Sequence, residues 1–444
     1  MAEPTPSPAP AQPAPKVPPP RNDAFRMLGL PALPRKLPSR NWMIFWTITA
    51  SVSAAIIYDK REKKRATARW AHAVEHLRKE PVHDPLGQVR KLTIYLSSPP
   101  GDGLRIAQDH YTDYVKPILA ASGLDWEFVQ GRREGDVRAV VAEKVRKIRR
   151  GWETNPDEVP DREPTKDEMI ERHRKMRGIE DYSGVRGDVV IGRHTWKEYV
   201  RGLHEGWLGP LTPPPEPEPV VEATLDPKPE DEKPAEEEAK PKRPPQPRPY
   251  NTTNDYPAES LPLLTPSEFN PAVPIREPHI LGFLNTPTRM YRFFNRRKLA
   301  DEIGRDVAAA VLCTYREFKQ LPNPGTDSAT ADEQVYEQEK ELAWEEKDWL
   351  KSVWKEDEPK EEGPTSEVKE KILARPMVID SRVASHMRRF EITPEEEARA
   401  RQIVIPEEEV EGWTKGKLRK LYRWGASKFE KQKTGPLVDS EEEA

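Results

Sequence analysis

The sequence predicts an α/β protein behind a single N-terminal transmembrane helix, with disordered proline-rich segments and a largely helical C-terminal part. Three observations carry that expectation. An uncharged stretch, WMIFWTITASVSAAIIY (Trp42–Tyr58), lies between basic flanks. Between residues 91 and 203, β-rich runs alternate with helical patterns. The 444-residue chain is 35% hydrophobic, 33% charged and holds 49 prolines. That balance describes folded segments separated by stretches too polar to offset their ordering entropy.

Residues 1–36 form the first disordered segment. Their first twenty residues are rich in proline and alanine and almost uncharged. They lack the charged start of a secretory signal and the arginine-rich amphipathicity of an ordinary mitochondrial presequence. Residues 37–60 hold the membrane helix. Seventeen uncharged residues are near the short limit for a span, and Thr, Ser and Ala dilute the hydrophobicity. Trp42, Trp46 and Tyr58 stand near its ends like interfacial anchors, and Arg35, Lys36, Arg40 and the run Asp59–Arg65 flank it. A buried core helix is the alternative, but no amphipathic stripe marks it. Thr47, Ser51 and Ala55 repeat every four residues, a small-residue face on which another helix can pack closely. Lysine and arginine are slightly more numerous after the span than before, which leans toward the C-terminal side facing inward.

Residues 61–209 read as an α/β domain. Arg61–Leu77 continues as a basic helix. KLTIYL (Lys91–Leu96) is a strand, SSPPGDG (Ser97–Gly103) a turn, and Tyr111, Tyr114, Val115, Ile118 and Leu119 mark one face of a helix ending at Gly123. LDWEFV (Leu124–Val129) is a second strand. Val137, Val140, Val141, Val145 and Ile148 mark the next helix. After a polar insertion, GDVVIG (Gly187–Gly192) forms a third strand and leads into a helix that turns Trp196, Tyr199, Val200 and Leu203 inward. Strand, crossover helix, strand implies parallel pairing.

Residues 210–260 are a Pro/Glu-rich linker, with fourteen prolines in the forty residues Pro210–Pro249. Residues 261–430 read as α-rich: a clear helix before Phe318, an acidic helix carrying Val335, Leu342, Trp349 and Val353, and a basic helix with Leu418, Leu421, Tyr422, Gly425 and Phe429 on one face. Residues 431–444 are an acidic tail. The single cysteine, Cys313, excludes an intramolecular disulfide framework and reads as a small core residue. The nine histidines form no HExxH or similar pattern, so no metal site is expected.

Two turns could carry chemistry. In SSPPGDG, Gly101 and Gly103 stand between a strand and a helix, where α/β folds bind phosphate, but Asp102 brings a negative charge there unless it caps the helix. The run IGRHTWKEYVRGL (Ile191–Leu203) resembles the nucleotide-binding segment of diacylglycerol and sphingosine kinases, where a strand runs into GGDGTLNEVVNGL. Gly192, Thr195, Glu198, Val200, Gly202 and Leu203 match that pattern. Arg193 replaces its aspartate and His194 its second loop glycine, so Gly192–Thr195 is a degenerate nucleotide loop. The resemblance implies a kinase-like fold without catalysis, no catalytic residue and no cofactor. A chance match of one strand–helix unit is the alternative.

Longer strings carry a second resemblance. LPSRNWMIFWTITASVSAAIIYDKREKKR (Leu37–Arg65), RKLTIYLSSPPGDGLRIA (Arg90–Ala107), VKPILAASGLDWEFVQGRREGDVRA (Val115–Ala139) and ILGFLNTPTRMYRFFNRR (Ile280–Arg297) look like the fungal fifty-four-kilodalton subunit family of the mitochondrial inner-membrane carrier translocase. This resemblance implies a non-catalytic scaffold in the inner membrane with its large C-terminal domain in the intermembrane space, against the faint charge bias. The implied partners are the translocase channel subunit, the small intermembrane-space chaperones and an ATP-dependent inner-membrane protease, with no nucleic acid. The rival readings are a membrane-anchored lipid kinase and a lipid tether that uses the basic helix Lys415–Lys428.

Overall fold

The helix that holds the uncharged stretch continues through its basic flank, as expected. In the computed structural model, helix α1 runs without interruption through Arg40–Val74. The structure describes residues 39–81, 87–153, 166–179, 182–214, 246–321, 335–347, 349, 353–354, 370–410 and 416–424. They divide into two compact units, Met1–Ile56 and Ile57–Ala444, each described by itself.

In the first unit the helix carries Trp42, Phe45, Trp46, Ile48 and Val52 as exposed side chains. Among the described residues this is the one helix with the length and composition to cross a membrane, with a mean hydropathy of 1.3 over its most apolar window. Thr47 donates its hydroxyl to the Ile44 carbonyl and Ser51 to Ile48, each at 2.8 Å. Such back-bonding satisfies the polar groups inside the helix, as lipid requires. Thr47, Ser51 and Ala55 are all exposed.

The second unit is built on a six-stranded sheet. Strands β1 (Lys91–Ser97), β2 (Asp125–Gly131) and β3 (Asp188–Ile191) are the three expected from the sequence. They pair in parallel, with β1 between the other two. β4 (Ala272–Ile275) adds in parallel beside β3, and β5 (Tyr315–Glu317) and β8 (Arg388–Phe390) complete the order β2-β1-β3-β4-β8-β5. Only the last pair, β5 and β8, is antiparallel. The sheet begun before the linker is therefore completed from after it, and the α-rich segment contributes three of its strands. A second, two-stranded sheet joins β6 (Gln320–Leu321) to β7 (Val335–Tyr336).

Because successive side chains of a strand face opposite ways, each strand feeds two cores. Leu92, Ile94 and Leu96 of β1, Val189 and Ile191 of β3, and Val273 and Ile275 of β4 enter one. It is covered by α2 (Arg105–His110), a π-helical turn (Tyr111–Val115), α3 (Lys116–Ser122) and α8 (Arg296–Leu312). The alternate residues Tyr95, Val190 and Ala272 face the other core, formed with α4 (Asp136–Glu153) and α6 (Arg193–Leu208). In α4, Val137, Val141 and Val145 are buried, while Val140 and Ile148 lie at the margins, 46% and 37% exposed.

The end of α1 is part of this unit. Trp70 and Val74 lie in the first core, and the Trp70 indole donates to Asp301 at 2.8 Å, beside an Arg69–Asp301 ion pair. Lys63 pairs with Asp113 at 2.8 Å, and Arg61 with Glu407 at 3.0 Å.

Three expectations differ. The acidic segment is not a continuous helix. It forms two single turns, α9 (Glu337–Lys340) and α10 (Ala343–Glu346), broken at buried Leu342, whose φ is +56°. Ion pairs from Glu337, Glu341 and Glu346 to Arg316, Arg389 and Arg193 override its local propensity. Cys313 packs against the first core as expected, but it is only partly buried and also ends α8 at a left-handed φ of 60°. In the basic helix, described over residues 416–424, Leu418, Leu421 and Tyr422 are exposed. Gly425 and Phe429 lie outside the described residues, as do residues 1–36, most of the 210–260 linker and the 431–444 tail.

Candidate functional site

With β1 between β2 and β3, the chain reverses direction across the sheet at the β1–β3 boundary. The C-terminal ends of such strands are where open α/β sheets bind ligands. Both turns singled out in the sequence follow these strand ends.

At the end of β3, Gly192 has φ +91°, and a β-carbon there would come within 2.7 Å of the Glu277 carboxyl and 2.5 Å of the His194 ring. Glycine is required on both grounds. Helix α6 starts at the next residue, so its first N–H groups point into the crevice, the arrangement that holds an anion. The group that occupies those donors is the protein's own carboxyl. Glu345 Oε2 accepts the Arg193 backbone N–H at 2.7 Å, and its Oε1 accepts that of Glu277 at 2.6 Å. Burial drives the Glu345 carboxyl well above its ordinary range, partly offset by those two bonds.

Arg193 secures this arrangement. Its guanidinium donates to the carbonyls of Glu339 and Glu341 at 2.9 and 2.7 Å and to the Glu346 carboxylate at 3.2 Å. Trp196 adds an indole N–H to the Gln338 carbonyl at 3.0 Å, and Lys197 an ion pair with Glu346 at 2.9 Å. The acidic segment 338–346 is thus clamped over the helix start.

The β1 side is closed in the same way. His194 Nε2 lies 3.0 Å from the Ser97 carbonyl, Thr195 Oγ1 accepts the Ser97 N–H at 3.2 Å, and Ser97 donates its hydroxyl to Glu198 at 3.3 Å. Burial holds the His194 imidazole down at about 4, so it is neutral and donates from Nε2. Burial pushes Glu198 and Glu277 up to about 8, which leaves both protonated near neutrality. Among the described residues, neither Glu277 oxygen has a hydrogen-bond partner. Every residue of α6 is buried, charged ones included. Arg201 bonds Asn251 and Glu370, and Glu205 pairs with Arg138 and Arg146.

Gly101 and Gly103 take no part in these hydrogen bonds. Both are exposed, Gly101 has φ +82°, and no atom lies within 4 Å of a β-carbon built at Gly103. Asp102 folds back onto the Gly103 N–H at 2.9 Å and does not cap α2. Sequence reasoning missed Glu345, Glu346 and Glu277. They are far from Gly192 in the chain, and no spacing rule links them to it. Among the described residues no cluster of His, Cys, Asp or Glu could hold a metal ion.

At the opposite end of the strands lies a cavity of about 250 Å³, lined by Trp152, Trp207 and Phe269 and by Tyr95, Lys144 and Asp188. Its polar groups are bonded to one another: Lys144 reaches Tyr95 at 3.2 Å and Asp188 at 3.3 Å.

Comparison with known proteins covers most of the chain. A family model described as inner membrane protein import complex subunit Tim54 matches residues 22–233 and 219–390. Curated relatives carry the name mitochondrial import inner membrane translocase subunit Tim54. The protein of Neurospora crassa is 65% identical over 437 residues, covering 96% of this chain and 92% of that one. The Aspergillus oryzae protein is 44% identical over 405 residues, 84% and 89% of the two chains. The Saccharomyces cerevisiae protein is 26% identical over 487 residues, 85% and 95%.

Proposed function

Because this chain belongs to the family of inner membrane protein import complex subunit Tim54, we propose that its folded unit is a non-catalytic scaffold of the mitochondrial inner-membrane import translocase. The observation that carries this reading is the Glu345 carboxyl, which spans the N–H groups of Arg193 and Glu277 where a kinase-like fold would hold phosphate. A ligand must displace a buried acid, break the Arg193 clamp and open an enclosed helix before it reaches those donors. The strand, the left-handed Gly192 and the helix beginning at Arg193 support descent from a diacylglycerol- or sphingosine-kinase-like fold that has lost its phosphate site. The rival, a membrane-anchored lipid kinase, needs a carboxylate near the phosphates to balance Mg²⁺, and at Arg193 the charge has the wrong sign.

In this proposal the helix through Trp42–Tyr58 crosses the inner membrane, and the unit from Ile57 onward lies in the intermembrane space. There it holds the translocase channel subunit and docks the small chaperones that deliver carrier proteins. A link to an ATP-dependent inner-membrane protease belongs to the same reading. Residues Thr47, Ser51 and Ala55 offer a membrane partner a close approach, since small side chains let helix backbones meet.

Photo-crosslinkers placed through the folded unit in isolated mitochondria test the proposal. Adducts with a multispanning channel protein and with small chaperones are expected. Protease added after rupture of the outer membrane should degrade the chain beyond residue 65. Complete protection would place the unit on the matrix side and overturn the chaperone-docking role.

A further inference from the structure

We propose that the segment Leu281–Arg297 is a second membrane contact, seating its apolar side chains at the surface of the bilayer that α1 enters and offering the exposed Arg289 and Arg296 to anionic phospholipid. The inference rests on the reading of Trp42–Tyr58 as a membrane span.

Position is the first argument. Asp59 directly follows the last residue of the uncharged stretch and is buried, 4% exposed. Its carboxylate accepts the backbone N–H groups of Arg296 and Arg297 at 3.2 and 3.3 Å. The Arg297 guanidinium lies over the Tyr58 ring at 5.1 Å. An acid at a helix N-terminus is stabilising, so Asp59 fastens the start of α8 to the point where α1 leaves the span. Helix α7 (Thr286–Phe293) immediately precedes that fastening.

Surface character is the second. Helix α7 has no buried residue, yet Met290 and Tyr291 are 60% and 65% exposed. In the turn before it, Phe283 and Leu284 are both 90% exposed. At 100° per residue, Met290 and Tyr291 lie together on one side of α7, Phe293 borders that side next to Arg289, and Arg292 lies away from Met290. Helix α7 is eight residues long and none of them is buried, so its apolar side chains lie open beside the end of the span.

Charge is the third. Pro278–Ala300 contains no aspartate or glutamate and five basic residues, Arg289, Arg292, Arg296, Arg297 and Lys298. An apolar side bordered by arginines matches the interfacial region of a bilayer. Anionic headgroups complement that charge.

The test uses the full chain with Cys313→Ser and single cysteines at Leu284, Tyr291 or Leu263. Leu263, which is fully exposed, serves as the reference. Each is labelled with an environment-sensitive fluorophore and reconstituted into phosphatidylcholine vesicles with or without phosphatidylglycerol, and quenching by brominated lipid is measured. Labels at Leu284 and Tyr291 should be quenched about threefold more than at Leu263 in vesicles containing phosphatidylglycerol. Arg289→Glu combined with Arg296→Glu should remove most of that excess, and the variant's retained thermal transition shows that folding is intact. Equal quenching at all three positions overturns the inference. So does shielding from an aqueous quencher in mitochondria without lipid quenching in vesicles, which assigns the surface to a membrane protein partner. Excess quenching that survives the double charge reversal overturns the anionic-lipid assignment. Loss of the chain from carbonate-washed vesicles refutes the span itself, a result distinct from retention with equal quenching.

Discussion

Replacing Glu345 with alanine removes the acceptor shared by the Arg193 and Glu277 N–H groups and leaves both donors inside the fold. The bonds are 2.7 and 2.6 Å long, and their acceptor is buried. A buried donor without a partner costs about 1–3 kcal/mol, so the pair predicts a loss of about 2–6 kcal/mol, toward the low end if water enters the vacated space. Glu345→Gln keeps one acceptor oxygen and should lose about half as much. Chemical denaturation of the detergent-purified full chain, followed by near-ultraviolet circular dichroism, reads both. The alanine variant also exposes a helix start with a neighbouring guanidinium, a setting that favours anions. Inorganic phosphate at ten times its Kd would restore about 1.4 kcal/mol to this variant and nothing to the native chain. Native stability in Glu345→Ala, with no response to phosphate, would refute the view that this carboxyl fills a phosphate position.

Other outcomes follow from different parts of the molecule. Ser51→Leu keeps the span apolar, so carbonate resistance should persist while co-purification of a membrane partner falls. Unchanged co-purification reduces the Thr47, Ser51, Ala55 face to a plain anchor. At Gly304 of α8 a β-carbon would run into the buried Trp70 indole. Gly304→Ala should therefore cost about 1–3 kcal/mol by overpacking, seen as a lower denaturation midpoint, and an unchanged midpoint would show that the contact is loose. The titration of buried groups sets an optimum in pH. His194 and His204 stay neutral down to about 4 when folded but gain protons from 6.5 downward when unfolded, so stability falls as pH drops through that window. Glu198 and Glu277 hold their protons up to about 8 when folded but lose them from 4.5 upward when unfolded, so their contribution falls as pH rises between those values. His194→Gln should flatten the acid limb of the melting-temperature profile, and an unaltered acid limb would contradict the buried, neutral imidazole.

What the sequence reveals here is what local pattern encodes. The membrane-type helix and strands β1 to β3 are legible because charge, alternation and helical spacing within ten or twenty residues determine them. Strand β4 is four residues with a proline, and β8 is Arg388, Arg389 and Phe390, so neither carries a strand signature. Each is a strand because a neighbouring edge is available. The acidic segment illustrates the same limit. Its apolar spacing suggests a helix, but its carboxylates are held by Arg193, Arg316 and Arg389 from distant elements. The Gly192 turn is visible in the sequence, and the substitutions at Arg193 and His194 point to lost phosphate contacts. That Arg193 would turn its guanidinium to the 338–346 segment, and so place Glu345 over the helix start, is encoded only by the fold.

The most direct test of a scaffold with a filled crevice is calorimetric titration of Mg-ATP into the purified full chain in detergent. The arrangement around Glu345 predicts no binding tighter than about 1 mM, equivalent to about 4 kcal/mol, and no phosphoryl transfer to diacylglycerol or sphingosine. Micromolar binding by the native chain, with Glu345 and Arg193 in place, would contradict it.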